Sequence, residues 1–301
     1  MSSLLTNSTA MTALQTLRSV SSQLSTTQTR ISTGQRVSTA SDNAAYWSIA
    51  TSMRADNAAL SAVSDSLGLS AATVDTEYTA LTSVVGDTTG GLVKLQSLLV
   101  EAKTAGIDRA KIQADITQIQ QQMKSTASAA TFNGVNWLST TSATPTTVDL
   151  VSSYSRVGST PTTGSITLTT ANYALYSSST TGILDTVSGG ASVDSLDITS
   201  LTDKPTDQAT LDTYISQVTA AINSVASAAA NLGAVKNRIS TNTDFVKTLM
   251  DSVDRGVGQL VDADMNAEST RLQALQTQQQ LGVQALSIAN QNSQSILALF
   301  K

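Results

Sequence analysis

Two sparse stripes of apolar and small residues stand at the two ends of the chain. Near the N-terminus the stripe positions alternate in steps of three and four, namely Ala10, Ala13, Leu17, Val20, Leu24, Thr27 and Ile31. The C-terminal end repeats this spacing at Leu272, Leu275, Gln279, Gly282, Leu286, Ala289, Ser293, Ile296 and Phe300. Such spacing is typical of coiled coils. Because so narrow a stripe buries too little apolar surface to order a lone helix, each end is predicted to pair, with the other end or with another molecule.

A second heptad frame runs from Leu60 to Ala102 and keeps its register through the glycines at 86, 90 and 91. An interior glycine costs about 1 kcal/mol relative to alanine. The unbroken register nevertheless predicts one long, locally weakened helix. A turn at residues 104–108 and a further amphipathic helix carrying Ile112 to Met123 are predicted to follow.

The Asn133-Gly134 pair stands between Phe132 and Val135. An Asn-Gly pair flanked by apolar residues predicts a β-hairpin with a type I′ turn, because both central residues of that turn have positive φ. Asn133 and Gly134 are therefore the expected hairpin turn residues.

Residues 141–205 are rich in Thr, Ser and Gly and contain all three prolines of the chain. They are predicted to form a small β-rich insertion, after which helix resumes with Asp207 as its N-cap. The expected fold is mainly α, with long paired helices, an inner helical bundle with a hairpin, and an outer β-rich part. Three domains are predicted: 1–40 with 262–301, the terminal coiled coil; 41–140 with 206–261, the inner bundle; and 141–205, the outer surface domain.

The composition removes several classes of function. The chain of 301 residues has no histidine and no cysteine, which excludes the usual zinc sites, Ser-His and Cys-His nucleophile pairs, and disulfides. Its formal charge is −5 and its 17 basic residues are scattered, so a nucleic-acid partner is not expected. We therefore expect no enzyme activity, no metal and no cofactor. We also expect no membrane insertion, because no stretch resembles a membrane span of about 20 apolar residues. No signal peptide is recognisable.

Several separate blocks of the sequence resemble the signatures of bacterial flagellins. In the N-terminal part these are Arg30-Ile-Ser-Thr-Gly34-Gln-Arg36-Val37, Asp42-Asn43-Ala44-Ala45, Ile49-Ala50 and Phe132-Asn133-Gly134. In the C-terminal part they are Asp262-Ala-Asp264, Ala267-Glu268, Gln278-Gln279-Gln280, Gly282 and Ala289-Asn290-Gln291. The resemblance covers residues 1–140 and 207–301, and Tyr46-Trp47 in place of the usual Gly-Leu is similar to the alphaproteobacterial, rhizobial-type branch.

The resemblance implies a structural subunit that self-assembles into the helical flagellar filament used for swimming motility. The protein would be secreted to the extracellular flagellum without a cleaved signal peptide. Implied partners are further copies of the chain, co-assembling related flagellins, the flagellar export apparatus, a C-terminal chaperone, the filament cap and the hook-junction proteins. Ends too poor in core to fold alone are predicted to order on joining the filament.

The candidate residues for contacts between subunits lie in the two terminal regions. They are Leu17, Leu24, Arg30, Ile31, Gly34, Arg36, Asp42, Asn43, Tyr46, Trp47, Leu275, Leu286, Asn290, Gln291, Ile296 and Phe300. For Arg30 and Arg36 the alternative is a solvated charge beside a linker glycine, and for Asp42 it is a helix N-cap. Adjacent side chains on a helix point about 100° apart, so one of Tyr46 and Trp47 is expected to anchor a neighbouring subunit.

The sequence leaves two alternative functions to be considered. A hook-filament junction protein of the same superfamily has similar ends but a different middle. A secreted enzyme carried on a flagellin scaffold would need catalytic groups in residues 141–205, where the sequence has no His, Cys or Glu.

Overall fold

The computed structural model describes residues 7–140, 146–158, 160–188 and 190–299, with side chains described up to residue 291. This part of the chain is mainly helical, which confirms the predicted fold class. Its helices are α1 (Ser8–Thr33), α2 (Ala44–Val85), α3 (Gly91–Glu101), α4 (Arg109–Ala129), α5 (Pro205–Val261) and α6 (Met265–Leu299). Its strands are β1 (Ser139–Thr140), β2 (Thr147–Val157), β3 (Thr160–Thr169) and β4 (Tyr176–Ser177).

The chain forms two compact units. Unit 1 contains the described residues up to 58 and those from 251 onward, and unit 2 contains residues 59–250. The division into three domains stays a prediction.

In unit 1, α1 packs against α6. Every stripe position from Ala10 to Ile31, and from Leu272 to Ala289, is buried or half-buried. Every other position of residues 8–29 and 269–291 is exposed. The ends therefore pair with each other within one chain. Phe300 lies outside the described residues, as do the side chains of Ser293 and Ile296.

Unit 2 has one hydrophobic core, which joins residues of α2 to α5 with residues of the insertion. Its most deeply buried members include Leu67, Leu81, Leu92, Leu95, Leu99, Ile116, Leu138, Leu175, Leu184, Leu196, Ile198 and Leu211. Leu196 and Ile198 come from the insertion, so this part of the chain shares the core of the helices.

The predicted single helix from residue 60 to 102 is wrong, because α2 ends at Val85 and α3 begins at Gly91. Gly86 and Gly91 have φ of 67° and 70°, in the left-handed region that interrupts a right-handed helix. A Cβ on Gly86 would lie 2.1 Å from the carbonyl oxygen of Gly90. The heptad register survives because the turn returns the chain to the same core, where Leu95 is fully buried.

The Asn-Gly turn is confirmed. Asn133 and Gly134 have φ of 50° and 78°, as a type I′ turn requires. Phe132 and Val135 donate their N–H groups to each other's carbonyl oxygens, at 2.9 Å in both directions. Pairing stops at this one bridge.

The insertion contains two small sheets. Strands β2 and β3 form an antiparallel hairpin that pairs Leu150 with Ile166 and has an irregularity between Val151 and Ser153. Strands β1 and β4 are parallel. Leu150 and Ile166 are buried in the core of unit 2, so one face of the hairpin is packed.

The predicted N-cap at Asp207 is wrong, because α5 begins at Pro205. Proline suits the first position of a helix, since its φ is already helical and no N–H is needed there. The N–H of Asp207 instead donates to the carbonyl of Lys204 at 3.0 Å, and its carboxylate accepts from the backbone N–H of Thr202 at 2.8 Å.

One helix in the described part of the chain, α5, is long and apolar enough to cross a membrane by length and composition. This corrects the expectation that no stretch resembles a span. Its apolar stripe includes Val218, Val225 and Leu232, which are fully buried in the core of unit 2. Packing within the protein therefore accounts for the apolar character of this stripe.

Candidate assembly surface

Polar side chains fix the register of the paired terminal helices. Asn7 caps α1 by accepting the N–H of Ala10 at 3.0 Å, and its amide nitrogen donates to the carbonyl of Ala289 on α6 at 2.9 Å. Near the other end of α1, the Arg30 guanidinium donates to the Glu268 carboxylate at 3.0 Å. Glu268 is buried and Arg30 is half-buried, so this ion pair joins the two helices at a position only partly shielded from water.

The seam between the two helices is closed by small and branched residues. Leu275 and Ala289 are buried, and Leu17, Leu24, Ile31 and Leu286 are half-buried. A Cβ on Gly282 would lie 3.1 Å from Cδ1 of Leu17. The predicted apolar residues of α1 and α6 thus meet each other in one chain.

The break after α1 and the break before α6 lie at the same end of this helix pair and are joined in a clasp, defined as residues 34–37 and 260–263. Gly34 ends α1 with φ of 71°, and its carbonyl accepts the N–H of Ala263 at 2.9 Å. The Val261 carbonyl accepts the N–H groups of Arg36 and Val37. Arg36 also donates from its guanidinium to the Leu260 carbonyl at 3.0 Å, which satisfies an orphan acceptor at the C-terminus of α5. Sequence spacing gave no signal for this pairing.

Asp42 and Asn43 shape the start of α2. The Asp42 carboxylate accepts the backbone N–H groups of Ser38 and Thr39 at 3.0 and 2.9 Å, and the bonds from Thr39 and then Ser38 hold the pKa of this carboxyl below its usual range. The N-cap is Asn43, which accepts the N–H of Tyr46 at 3.1 Å. The interpretation of Asp42 as the cap is therefore wrong, because α2 begins one residue too late for it.

Tyr46 and Trp47 both stand outside the core of unit 1. Their exposed fractions are 41% and 37%, and that of Ile49 is 49%. Ala50 on the same helix is buried against Val257 and Val261 of α5. Packing in the free chain thus gives neither aromatic side chain a buried site.

The terminal helices expose further large apolar side chains that lie off the heptad stripe. On α1 these are Met11 and Leu14, with exposed fractions of 63% and 37%, and on α6 they are Leu281, Val283 and Ile288, with 58%, 54% and 65%. Asn290 and Gln291 are exposed as well. These apolar positions were not among the predicted contacts between subunits. Their apolar character outside the heptad stripe was the signal that could have identified them.

Comparison with known proteins places similarity in both halves of the chain. The family model described as the bacterial flagellin N-terminal helical region matches residues 4–143, and the one described as the bacterial flagellin C-terminal helical region matches residues 215–300. Flagellin C of Rhizobium meliloti (strain 1021) is 44% identical over the full length of both chains. Flagellin of Brucella melitensis biotype 1 is 45% identical, and Flagellin A of Rhizobium meliloti 39%, again over the full length of both chains.

Proposed function

The chain belongs to the bacterial flagellin family and is a structural subunit of the extracellular helical flagellar filament used for swimming, and we propose that it enters that filament through the exposed faces of its paired terminal helices. The observation that carries this proposal is the row of large apolar side chains left exposed on α1 and α6. Because relatives that match over their full length are named flagellins, a hook-filament junction protein is not favoured.

The positions of these side chains suit a second copy of the chain as the partner. Leu281 and Ile288 lie seven residues apart and Met11 and Leu14 three apart, so each pair shares one face of its helix. Identical subunits joined by a contact that is not self-complementary, and related by a rotation that does not close, form an open helical filament. Burial of these faces in such contacts would supply apolar area that the seam lacks.

The candidate residues divide into two groups under this proposal. Tyr46, Trp47, Asn290 and Gln291 are exposed and would contact neighbouring subunits directly. The others would support assembly indirectly, by stabilising the structure of unit 1. Arg30 and the seam residues Leu17, Leu24, Ile31, Leu275 and Leu286 hold the helix pair, while Gly34, Arg36, Asp42 and Asn43 hold the clasp and the start of α2. Ile296 and Phe300 stay predicted contacts.

Family membership also supports finer proposals. We infer export without a cleaved signal peptide, and partners in the export apparatus, a C-terminal chaperone, the filament cap, the hook-junction proteins and related flagellins. Flagellins are structural proteins, and we propose that this one has no catalytic activity. In the free monomer the thin seam of unit 1 is expected to leave the terminal helices disordered until assembly.

The test is elongation of short filament seeds, followed by electron microscopy. The variant carries Leu281→Gln and Ile288→Gln, which keep side-chain size near that of the original and leave the seam untouched. Its matched control is Val157→Gln on the insertion, where the valine is also exposed, at 76%. A chain ending at Thr270 serves as the control for loss of α6.

We expect the control Val157→Gln to elongate seeds like the unchanged chain and the α6 variant to elongate them at least about tenfold more slowly, because each buried apolar side chain contributes about 1.5 kcal/mol or more. Circular dichroism must show the same helical content in both variants. Normal elongation by the α6 variant would show that α6 does not contribute these contacts.

A further inference from the structure

The last part of the insertion, residues 191–203, has little regular structure of its own. It contains one short 3₁₀ helix, Val193–Ser195, and no strand. Segments of this kind have backbone N–H and C=O groups that are not paired with a neighbouring strand, and such groups need partners when they are buried. We call these residues the return segment, since they lead back to α5.

Side chains of α4 supply those partners. Gln120 donates from its amide to the carbonyl of Val193 at 2.9 Å, and Lys124 pairs with Asp194 at 3.1 Å. Arg109 donates to the carbonyl of Leu201 at 3.1 Å and to the Asp203 carboxylate at 2.6 Å. From α5, Gln217 donates to the carbonyl of Ala191 at 2.8 Å.

Gln113 makes the most specific contact. Its amide nitrogen donates to the carbonyl of Leu196 at 3.1 Å, and its amide oxygen accepts the N–H of Ile198 at 3.0 Å. One side chain therefore satisfies two backbone groups that are two residues apart, as a neighbouring β-strand would. Leu196 and Ile198 are fully buried, so no water replaces this contact readily.

The four residues of α4 form one row along the helix. Arg109, Gln113, Gln120 and Lys124 are spaced by four, seven and four residues, which places them along one stripe. We call this row the polar ladder. It lies beside the apolar stripe of Ile112, Ile116 and Met123, whose side chains are buried in the core.

We propose that the polar ladder sets the orientation of the insertion on the helical bundle of unit 2, so that the insertion moves with the bundle as one body. Burial of apolar side chains such as Val193 and Leu196 is nondirectional and tolerates sliding. Hydrogen bonds require distance and angle together, and a slipped segment would leave buried carbonyl groups unpaired at appreciable cost. This inference concerns the isolated chain and does not depend on the assembly contacts proposed above.

The first readout is a distance between two spin labels in unit 2. Because the natural chain has no cysteine, Val157→Cys and Lys111→Cys introduce the only two labelling sites, and both positions are highly exposed. The test variant adds Gln113→Met and Gln120→Met, which keep length and helix propensity but remove the hydrogen bonds. The control adds Gln121→Met, at an exposed position of the same helix.

The second readout is hydrogen exchange at two amides whose acceptors the substitutions leave intact. The N–H of Asp194 in the return segment donates to the carbonyl of Leu184, and that of Ala102 at the end of α3 donates to the carbonyl of Leu98. Exchange at Asp194 reports the return segment, and exchange at Ala102 reports the stability of the bundle.

We expect one narrow distance distribution in the labelled parent and in the Gln121→Met control. In the ladder variant we expect a broadened distribution and exchange at Asp194 about tenfold faster, with exchange at Ala102 unchanged. An unchanged distribution would show that the apolar core alone orients the insertion. Equal acceleration at both amides would show that the ladder contributes only to global stability, and would likewise overturn the proposal. If the double variant fails to fold, Gln113→Met alone is measured by the same criteria.

Discussion

Unit 1 and unit 2 both use heptad stripes, but they bury them to very different degrees. On α1, Val20 and Thr27 are the buried stripe positions among the described residues and the others are half-buried. In unit 2, Leu67, Leu81 and Leu95 on the corresponding stripe are fully buried. The difference arises because, in the part of the chain that the structure describes, α1 packs mainly against α6, whereas α2 to α5 share a core with the insertion. Unit 2 thus buries its stripe within one chain, whereas we propose that unit 1 gains further burial on assembly.

The largest effect should come from a large-to-small substitution in the better-packed core of unit 2. Leu81→Ala is expected to lower the free energy of unfolding of unit 2 by about 2–5 kcal/mol, through lost burial and a cavity. Leu24→Ala removes the same atoms from the half-buried seam of unit 1. It should change the free energy of unfolding of unit 2 by less than about 0.5 kcal/mol, because Leu24 lies outside that unit. Urea unfolding of the two variants, followed by circular dichroism, tests the contrast. Equal losses would show that the two units do not differ in this way.

A buried acid gives unit 2 a dependence on pH. Glu77 occupies a stripe position on α2, is fully buried, and accepts the N–H of Trp137 at 2.8 Å. Desolvation by burial raises the pKa of its carboxyl from 4.5 to about 7, partly offset by that hydrogen bond. The folded state therefore holds a proton that the unfolded state releases, so this contribution is complete below about pH 4.5 and is lost as pH rises to about 7.

The resulting loss of stability should be about 3 kcal/mol between pH 4.5 and 7. Urea unfolding at a series of pH values measures it, and Glu77→Gln, which does not ionise, should flatten the profile. A Glu77→Gln profile as steep as that of the parent would assign the pH dependence to another group.

Two glycines test how tightly each unit fixes its backbone. Gly86→Ala should destabilise unit 2 by about 1–3 kcal/mol, because its φ is positive and the added Cβ meets the Gly90 carbonyl. Gly282→Ala adds a methyl group 3.1 Å from the flexible end of Leu17, and should cost less than about 1 kcal/mol. Thermal unfolding of assembled filaments compares them, because the terminal helices are expected to be ordered there. A larger loss at Gly282 would mean that the seam is as rigid as the core.

A modest effect is expected at the ion pair of unit 1. Glu268→Gln removes the charge that Arg30 contacts at 3.0 Å and should weaken the helix pair by about 1 kcal/mol, since the contact is only partly shielded from water. Hydrogen exchange in α1 of assembled filaments measures it. The paired variant Arg30→Met should give a similar change, and unequal changes would show that one residue has another contact.

Periodic features were predictable from the sequence because they depend on neighbours along the chain. The heptad stripes of α1 and α6, the turn at Asn133-Gly134 and the change to β structure after it all follow from local spacing and turn chemistry. The break at residues 86–91 was not predicted, because an unbroken register is compatible with either a continuous helix or a turn that returns to the same core. Only the positive φ values of Gly86 and Gly91 distinguish the two.

The family, the mainly helical fold and the residues that form each seam could thus be predicted without the structure. The groups that those residues contact became known only from the folded chain. Pairing of Arg30 with Glu268, of Arg36 with the Leu260 carbonyl, and of Gln113 with the return segment joins residues far apart in the chain. A polar side chain has no periodic signature for a distant backbone group, since the partner is specified only when packing brings the two segments together.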